Sequence, residues 1–151
     1  MKIYLDNCCY NRPFDDQTQP RVREETDAIS AIITRTIASN DIILSSDILL
    51  FEVMKIKALD KRRAILSMIN RLTDKTVALN EQINLRKNDI MCASNIRDMD
   101  AAHLACAEFG DAEFFLTTDD KLIKACENLT LKFRVLNPAI YFKEVIENGR
   151  T

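Results

Sequence analysis

Residues Arg97–Leu122, RDMDAAHLACAEFGDAEFFLTTDDKL, decide the fold. The stretch reads as helix, tight turn, strand, helix. Asp100 opens an alanine-rich helix (AAHLACA). Gly110 is expected to end it in the left-handed conformation that glycine adopts without penalty. Glu113–Thr117 (EFFLT) has the apolar run of a buried strand. From Thr117 to Asp120, TTDD offers side-chain oxygens to the unpaired N–H groups of the next helix. One unit thus carries carboxylates to a helix start and to the carboxyl end of a strand. Ligands of open parallel sheets bind outside those strand ends. Taken alone, Asp100 and Asp119 are explained as well by helix capping as by a metal.

The flanking sequence repeats the alternation. Lys2–Leu5 (KIYL) reads as a first strand with Asp6 at its end, followed by an irregular stretch bracketed by Pro13 and Pro20. Apolar residues then recur at helical spacing from Pro20 to Ser39 (Val22, Ile29, Ile32, Ile33, Ile37). Asp41–Leu44 predicts a second strand, and ILLFEVMKIKA a helix with Glu52 among apolar neighbours. A further helix follows from Asp60. Thr76–Leu79 predicts a third strand, and residues 80–92 another helix. Lys132–Leu136 predicts a fifth strand, and Asn137-Pro138 starts a closing helix. Strands alternating with helices argue for a three-layer α/β fold on a parallel sheet.

The chain's 151 residues suit one domain over 1–151, with no internal repeat. Two Gly and three Pro leave little room for linkers. No apolar run approaches a membrane span, and MKIYLDN lacks a signal peptide's features, so a cytoplasmic protein with no membrane association is expected. Five Cys without a C-x-x-C pair, beside a single His, argue against a tetrahedral zinc site. Cys106 and Cys126 fall in apolar helical patterns and are expected in the core. A formal net charge of -2 lacks the basic signature of many nucleic-acid binders. A site built of carboxylates would itself lower the balance, and bound cations would reverse its local field.

The acids converge if strands one and four are neighbours. Asp6 ends strand one, Asp119 follows strand four, Asp100 begins the helix before strand four, and Glu52 reaches in from the helix after strand two. Four carboxylates so close repel one another and raise their pKa values. Divalent cations relieve that, and all-oxygen ligands select Mg²⁺ or Mn²⁺ over zinc. Ions held this way suit phosphodiester hydrolysis.

MKIYLDNCCYNRPFDD, the Glu52 helix (ILLFEVMK), DAAHLACA, FFLTTDDKL and the closing VLNPAIYF together resemble a PIN domain, the domain of VapC-type toxin ribonucleases. The resemblance covers the whole chain. It implies a five-stranded parallel sheet and Mg²⁺- or Mn²⁺-dependent cleavage of single-stranded RNA. It also implies a small antitoxin partner and a homodimer. By motif match the catalytic, metal-binding acids are Asp6, Glu52, Asp100 and Asp119, with Thr117 as the hydroxyl residue that helps hold them. Asp98 and Asp120 flank matched acids and could substitute as ligands. Asn7 stands where the family often has Ser or Thr.

Other residues admit plainer roles. His103 lies three residues after Asp100, on the same helix face, and is expected to be a hydrogen-bonded structural residue. Cys8 and Cys9 lack an apparent His partner for thiol chemistry. Arg12 is a weak candidate for a phosphate contact. Lys55, Lys57, Lys61, Arg62 and Arg63 read as a solvated helix face. Two rival functions stay open: a Mg²⁺-dependent phosphohydrolase or phospho-acceptor, and a PIN-type module that binds RNA or protein without cutting. Against the first, the position two after Asp6 is Cys8, where haloacid-dehalogenase-type enzymes usually carry a second aspartate.

Overall fold

Alternation along the central strands builds two cores at once. In β1 (Lys2–Leu5), Ile3 and Leu5 point to one side of the sheet and Tyr4 to the other. β2 (Ile42–Ser46) splits Ile43 from Leu44 in the same way. β4 (Phe114–Leu116) splits Phe114 and Leu116 from Phe115. This computed structural model describes residues 1–149, so the last two positions of the expected domain lie outside it.

The sheet has five parallel strands in the order β3-β2-β1-β4-β5, completed by β3 (Thr73–Val77) and β5 (Arg134–Leu136). The connection from β1 runs to β2, while β4 lies on its opposite side, so the strand order reverses at β1. One face is covered by α1 (Asn7–Asn11), α2 (Pro20–Ala38), α3 (Asp47–Met54), α4 (Leu59–Leu72) and α8 (Pro138–Tyr141), which continues as a π-helix over Phe142–Glu147. Ile29, Ile32, Val53, Ile65, Ile69 and Tyr141 fill that core. The other face is covered by α5 (Glu81–Ala93), α6 (Asp98–Phe109) and α7 (Asp120–Cys126) through Ile83, Ile90, Leu104, Ala105 and Leu122. The architecture is the three-layer α/β fold that the alternation predicted. Each fully buried Ile or Leu contributes roughly 1.5–3 kcal/mol of transfer free energy.

Four local expectations need correction. The stretch after Asp6 is helical, not irregular: α1 and a 3-10 turn at Arg12–Phe14 occupy it. Both are too short for a helical period to register. β3 starts at Thr73, three residues before the expected Thr76, with a register shift against β2 between Ile43 and Leu44. It is an edge strand whose sequence TDKTV buries only Val77. Polar edges of this kind resist pairing with foreign strands and carry little apolar signal. α6 begins at Asp98, so Asp100 lies in its first turn rather than opening it.

The fourth correction concerns Gly110. Its φ is -78°, not left-handed. The left-handed residue is Asp111, with φ 60°. Ala112 N–H donates to Ala107 O at 2.9 Å and Asp111 N–H to Glu108 O at 3.1 Å. These two bonds make a Schellman motif with aspartate at the left-handed position, which Asp tolerates better than most residues. Glycine stands one residue earlier for a packing reason. A Cβ there would meet Val77 Cγ2 at 2.9 Å and Leu44 Cδ1 at 3.0 Å. Gly110→Ala is therefore expected to destabilise the fold by overpacking, by about 1–3 kcal/mol in a urea denaturation. A neutral or stabilising result would show that Val77 and Leu44 yield freely.

Candidate active site

The β1–β4 pairing continues one residue past β1, where Asp6 N–H donates to Leu116 O at 2.9 Å. Asp6 is buried. Its Oδ1 accepts from Asn7 N–H at 2.8 Å, capping α1, and its Oδ2 accepts from Thr117 Oγ1 at 2.8 Å. Thr117 Oγ1 also accepts from Asp119 N–H at 3.2 Å. One buried hydroxyl thus ties the ends of β1 and β4. Cys8 Sγ lies 3.5 Å from Asp6 Oδ2 and 3.3 Å from Thr117 Oγ1. Asp119 caps α7, its Oδ1 accepting from Lys121 N–H and Leu122 N–H at 3.0 and 3.2 Å.

Glu52 enters from α3, which Ser46 caps by accepting from Leu49 N–H. Glu52 Oε1 lies 2.8 Å from His103 Nε2, and that nitrogen lies 4.0 Å from Asp6 Oδ1. Ligand atoms of Asp6, Glu52 and His103 all fall within 4.8 Å of one another. His103 is fully buried; its Nδ1 meets the Tyr4 hydroxyl at 2.6 Å. Burial presses the imidazole towards its neutral form. The Glu52 hydrogen bond and the charges of Asp6, Glu52 and Asp100 outweigh that and raise its pKa.

Asp100 is the strained acid of the group. Burial and the charge of Asp6 push its carboxyl from 3.8 to about 6, with smaller contributions from Asp119 and Glu52; His103 opposes them. The charges of the other three acids thus reach Asp100, while the ligand atoms that lie within 4.8 Å of one another are those of Asp6, Glu52 and His103. The carboxylates, hard oxygens with excess negative charge, fit Mg²⁺ or Mn²⁺. Asp100 and Asp119 also line an open pocket of about 640 Å³ whose other walls include Arg97, Lys121 and Lys124. Among the described residues none of these three cations has an ion-pair partner.

The remaining sequence candidates are placed elsewhere or otherwise engaged. Asp98 is exposed and bonded to Lys87 Nζ at 2.9 Å. Asp120 is exposed and held by both terminal nitrogens of Arg21, at 2.7 and 2.8 Å. Asn7 accepts from Asn11 Nδ2 through its side-chain oxygen. The Arg12 guanidinium is committed to Glu25 at 2.7 Å and Asp15 at 3.1 Å. Cys9 lies in the core, where burial drives its thiol pKa up. Cys106 and Cys126 are buried core residues. In the basic stretch, Lys55 Nζ sits 4.4 Å from the Phe51 ring centre.

No family model matches the sequence, and no curated protein does. Solved structures do resemble it. A chain of VapBC-1 from nontypeable Haemophilus influenzae superposes with a TM-score of 0.61 at 17% identity, covering 91% of this chain and 98% of that one. A chain of VapBC2 from Rickettsia felis, solved bound to a DNA fragment from their promoter, superposes at 0.55 with 14% identity and the same coverage. The chain has a PIN-like fold. At these identities the likeness is one of fold.

Within this PIN-like fold His103 is hydrogen-bonded as expected, and three cations that the sequence did not single out line the pocket beside the acids. The partner of His103, Glu52, could not be named from the sequence, where the signal of His103 was its spacing from Asp100. Arg97, Lys121 and Lys124 carried none, because only the packing of α7 beside the start of α6 brings them to one pocket.

The electrostatics set a pH dependence. Asp100 holds its proton more tightly folded than unfolded, so it contributes stability where it is protonated and loses it as pH rises. His103, also raised, acts in the same direction at higher pH. In EDTA, the melting temperature is expected to fall as pH rises from about 4 through about 6 on account of Asp100. Asp100→Asn should flatten that window. Equal pH profiles for the two proteins would contradict the raised carboxyl.

Proposed function

We propose that this chain is a metal-dependent endoribonuclease that cleaves single-stranded RNA as the toxin of a toxin–antitoxin pair. One observation carries the reading: Asp6 and Glu52 meet beyond the carboxyl end of β1, within electrostatic reach of Asp100 and Asp119, beside a pocket whose three cations have no ion-pair partner among the described residues. The choice of RNA, the small antitoxin and a homodimer follow from the PIN resemblance, and the VapBC fold neighbours support it. No described helix is long and apolar enough to cross a membrane.

The four acids would hold the cation, Mg²⁺ or Mn²⁺. When bound, it offsets charge on the scissile phosphate and acidifies water. Thr117 keeps Asp6 oriented and ties it to the Asp119 backbone. Arg97, Lys121 and Lys124 take phosphates of the strand flanking the scissile bond. The reaction adds water across a P–O3′ bond, leaving a 5′-phosphate and a 3′-hydroxyl.

Labelled single-stranded RNA incubated with Mn²⁺ or Mg²⁺ should be cut, and EDTA should stop it. Asp6→Asn and Asp100→Asn should fall to the EDTA background. Undiminished cleavage by either pure variant would sink the site assignment. Binding should weaken with salt through counterion release, with a log–log slope of roughly -0.7 per phosphate contact on a single strand. Lys121→Ala and Lys124→Ala should each make that slope shallower by about one contact's worth. An unchanged slope in both would remove the pocket from the RNA path.

A further inference from the structure

Glu52 differs from the other acids of the cluster in how it is held. Asp6 and Asp119 each accept backbone N–H bonds at a helix start. Asp100 lies in the first turn of α6, where the helix dipole favours an anion. Glu52 lies in the last turn of α3, where the dipole disfavours one. Its side chain is longer, with more rotamers to restrict. Among the described residues its only hydrogen-bond partner is His103.

We infer that His103 is a positioning residue that aims the Glu52 carboxylate into the cluster, with Tyr4 and Ser46 holding the imidazole in turn; the inference rests on the metal-site reading above. The ring nitrogens divide the work. Nε2 is within hydrogen-bond reach of Glu52 Oε1 at 2.8 Å but 4.0 Å from Asp6 Oδ1, so its proton serves Glu52. Nδ1 lies 2.6 Å from the Tyr4 hydroxyl, accepting from it in the neutral ring and donating to it in the imidazolium. The Tyr4 and Ser46 hydroxyls share a hydrogen bond, also at 2.6 Å, and Ser46 Oγ accepts from Leu49 N–H at 3.0 Å. With the Nε2 proton directed at Glu52, every polar atom of this chain has a partner whichever way the Tyr4 and Ser46 hydroxyls turn. The Tyr4 ring is pinned by stacking on Phe115 at 5.3 Å and by the edge of His103 at 5.7 Å.

The relay closes on itself. Ser46 starts the helix that delivers Glu52 and ends the chain of bonds that orients it. The backbone of α3 and the tip of the Glu52 side chain are thus fixed from one residue. Glu52 Oε2 has no protein partner among the described residues and stays available to a ligand. Partners that orient a metal-binding carboxylate are typically worth 10–100-fold in metal affinity.

His103 is the only histidine in the chain, so its imidazole ¹⁵N signals need no assignment. At neutral pH they should show a proton on Nε2 that exchanges slowly in the wild type and quickly in Glu52→Ala. A wild-type ring unprotonated at Nε2 would overturn the inference. Mn²⁺ titration calorimetry supplies the second readout, with thermal melts to establish that each variant folds. His103→Leu should weaken Mn²⁺ binding about tenfold. His103→Gln, whose amide nitrogen can reach the place of Nε2, should restore most of it. Tyr4→Phe should weaken binding in the same direction without altering the ligands themselves, and serves should His103→Leu fail to fold. Wild-type affinity in folded His103→Leu or Tyr4→Phe would overturn the positioning role alone. So would imidazole ¹⁴N coupling in the pulsed EPR of bound Mn²⁺, which would make His103 a ligand. A wild-type chain that binds no Mn²⁺ would overturn the metal-site reading itself, and this role with it.

Discussion

The parallel pairing of β1 with β4 is the constraint on which the rest depends. It brings Leu5 opposite Leu116, and the next residues, Asp6 and Thr117, leave the strands together. A carboxylate buried at that point is costly unless it is hydrogen-bonded. The chain meets that need locally: the turn after Asp6 becomes a helix whose first N–H it caps, and the hydroxyl after β4 donates to its other oxygen. The same pairing separates two apolar cores, so the sheet cannot slip by one residue. A slip would exchange Tyr4 with Ile3 or Leu5 and carry the Tyr4 hydroxyl away from His103.

A second buried carboxylate shows what full compensation looks like. Glu25, on α2, is almost inaccessible, yet Arg12, Arg21 and Asn137 all bond to it. Its partners come from the 3-10 turn, from its own helix and from the residue that caps α8. Arg21 continues to Thr118 O and Asp120, clamping the loop that carries Asp119. Removing one partner of such a network typically costs about 3–5 kcal/mol, because a buried charge is left behind. The contrast with Asp100 is one of surroundings. Glu25 sits among guanidinium groups, whereas Asp100 feels the charges of Asp6, Asp119 and Glu52, opposed by His103.

Much of this was legible in the sequence, for reasons tied to particular residues. Asp6 and Asp119 stand out because each follows an apolar strand, and a charge at such a place needs a partner. Glu52 stands out against Leu49, Leu50, Phe51 and Val53. The three layers follow from alternating strands and helices; that strands one and four are neighbours was a condition for the acids to meet, and the sheet fulfils it. What was hidden depends on contacts distant in sequence. Gly110 does end α6 as expected, but not in the left-handed conformation; the approach of Val77 and Leu44 that requires a glycine exists only in the packed sheet. Asp98 and Asp120 look identical to their neighbours until Lys87 and Arg21 are seen to hold them. Edge strand β3 is polar because it is an edge, which removes the periodicity that would have located it.

The placing of the acids shows how a fold can hold repelling charges and stay folded. Two accept backbone N–H bonds at helix starts and a third lies in a first turn, so their charge is partly offset by groups that would otherwise lack partners. Glu52 has no such advantage, and its partner is a donor from a different helix. That difference has a thermodynamic consequence. Backbone caps form whenever their helices form, so they stabilise the empty and the loaded site alike. A side-chain bond across α3 and α6 holds only while those helices stay packed, which couples the geometry of Glu52 to the Tyr4–Phe115 core beneath it. Small changes in that core, far from any substrate, would therefore reach the cluster through Glu52 before they reached Asp6 or Asp119.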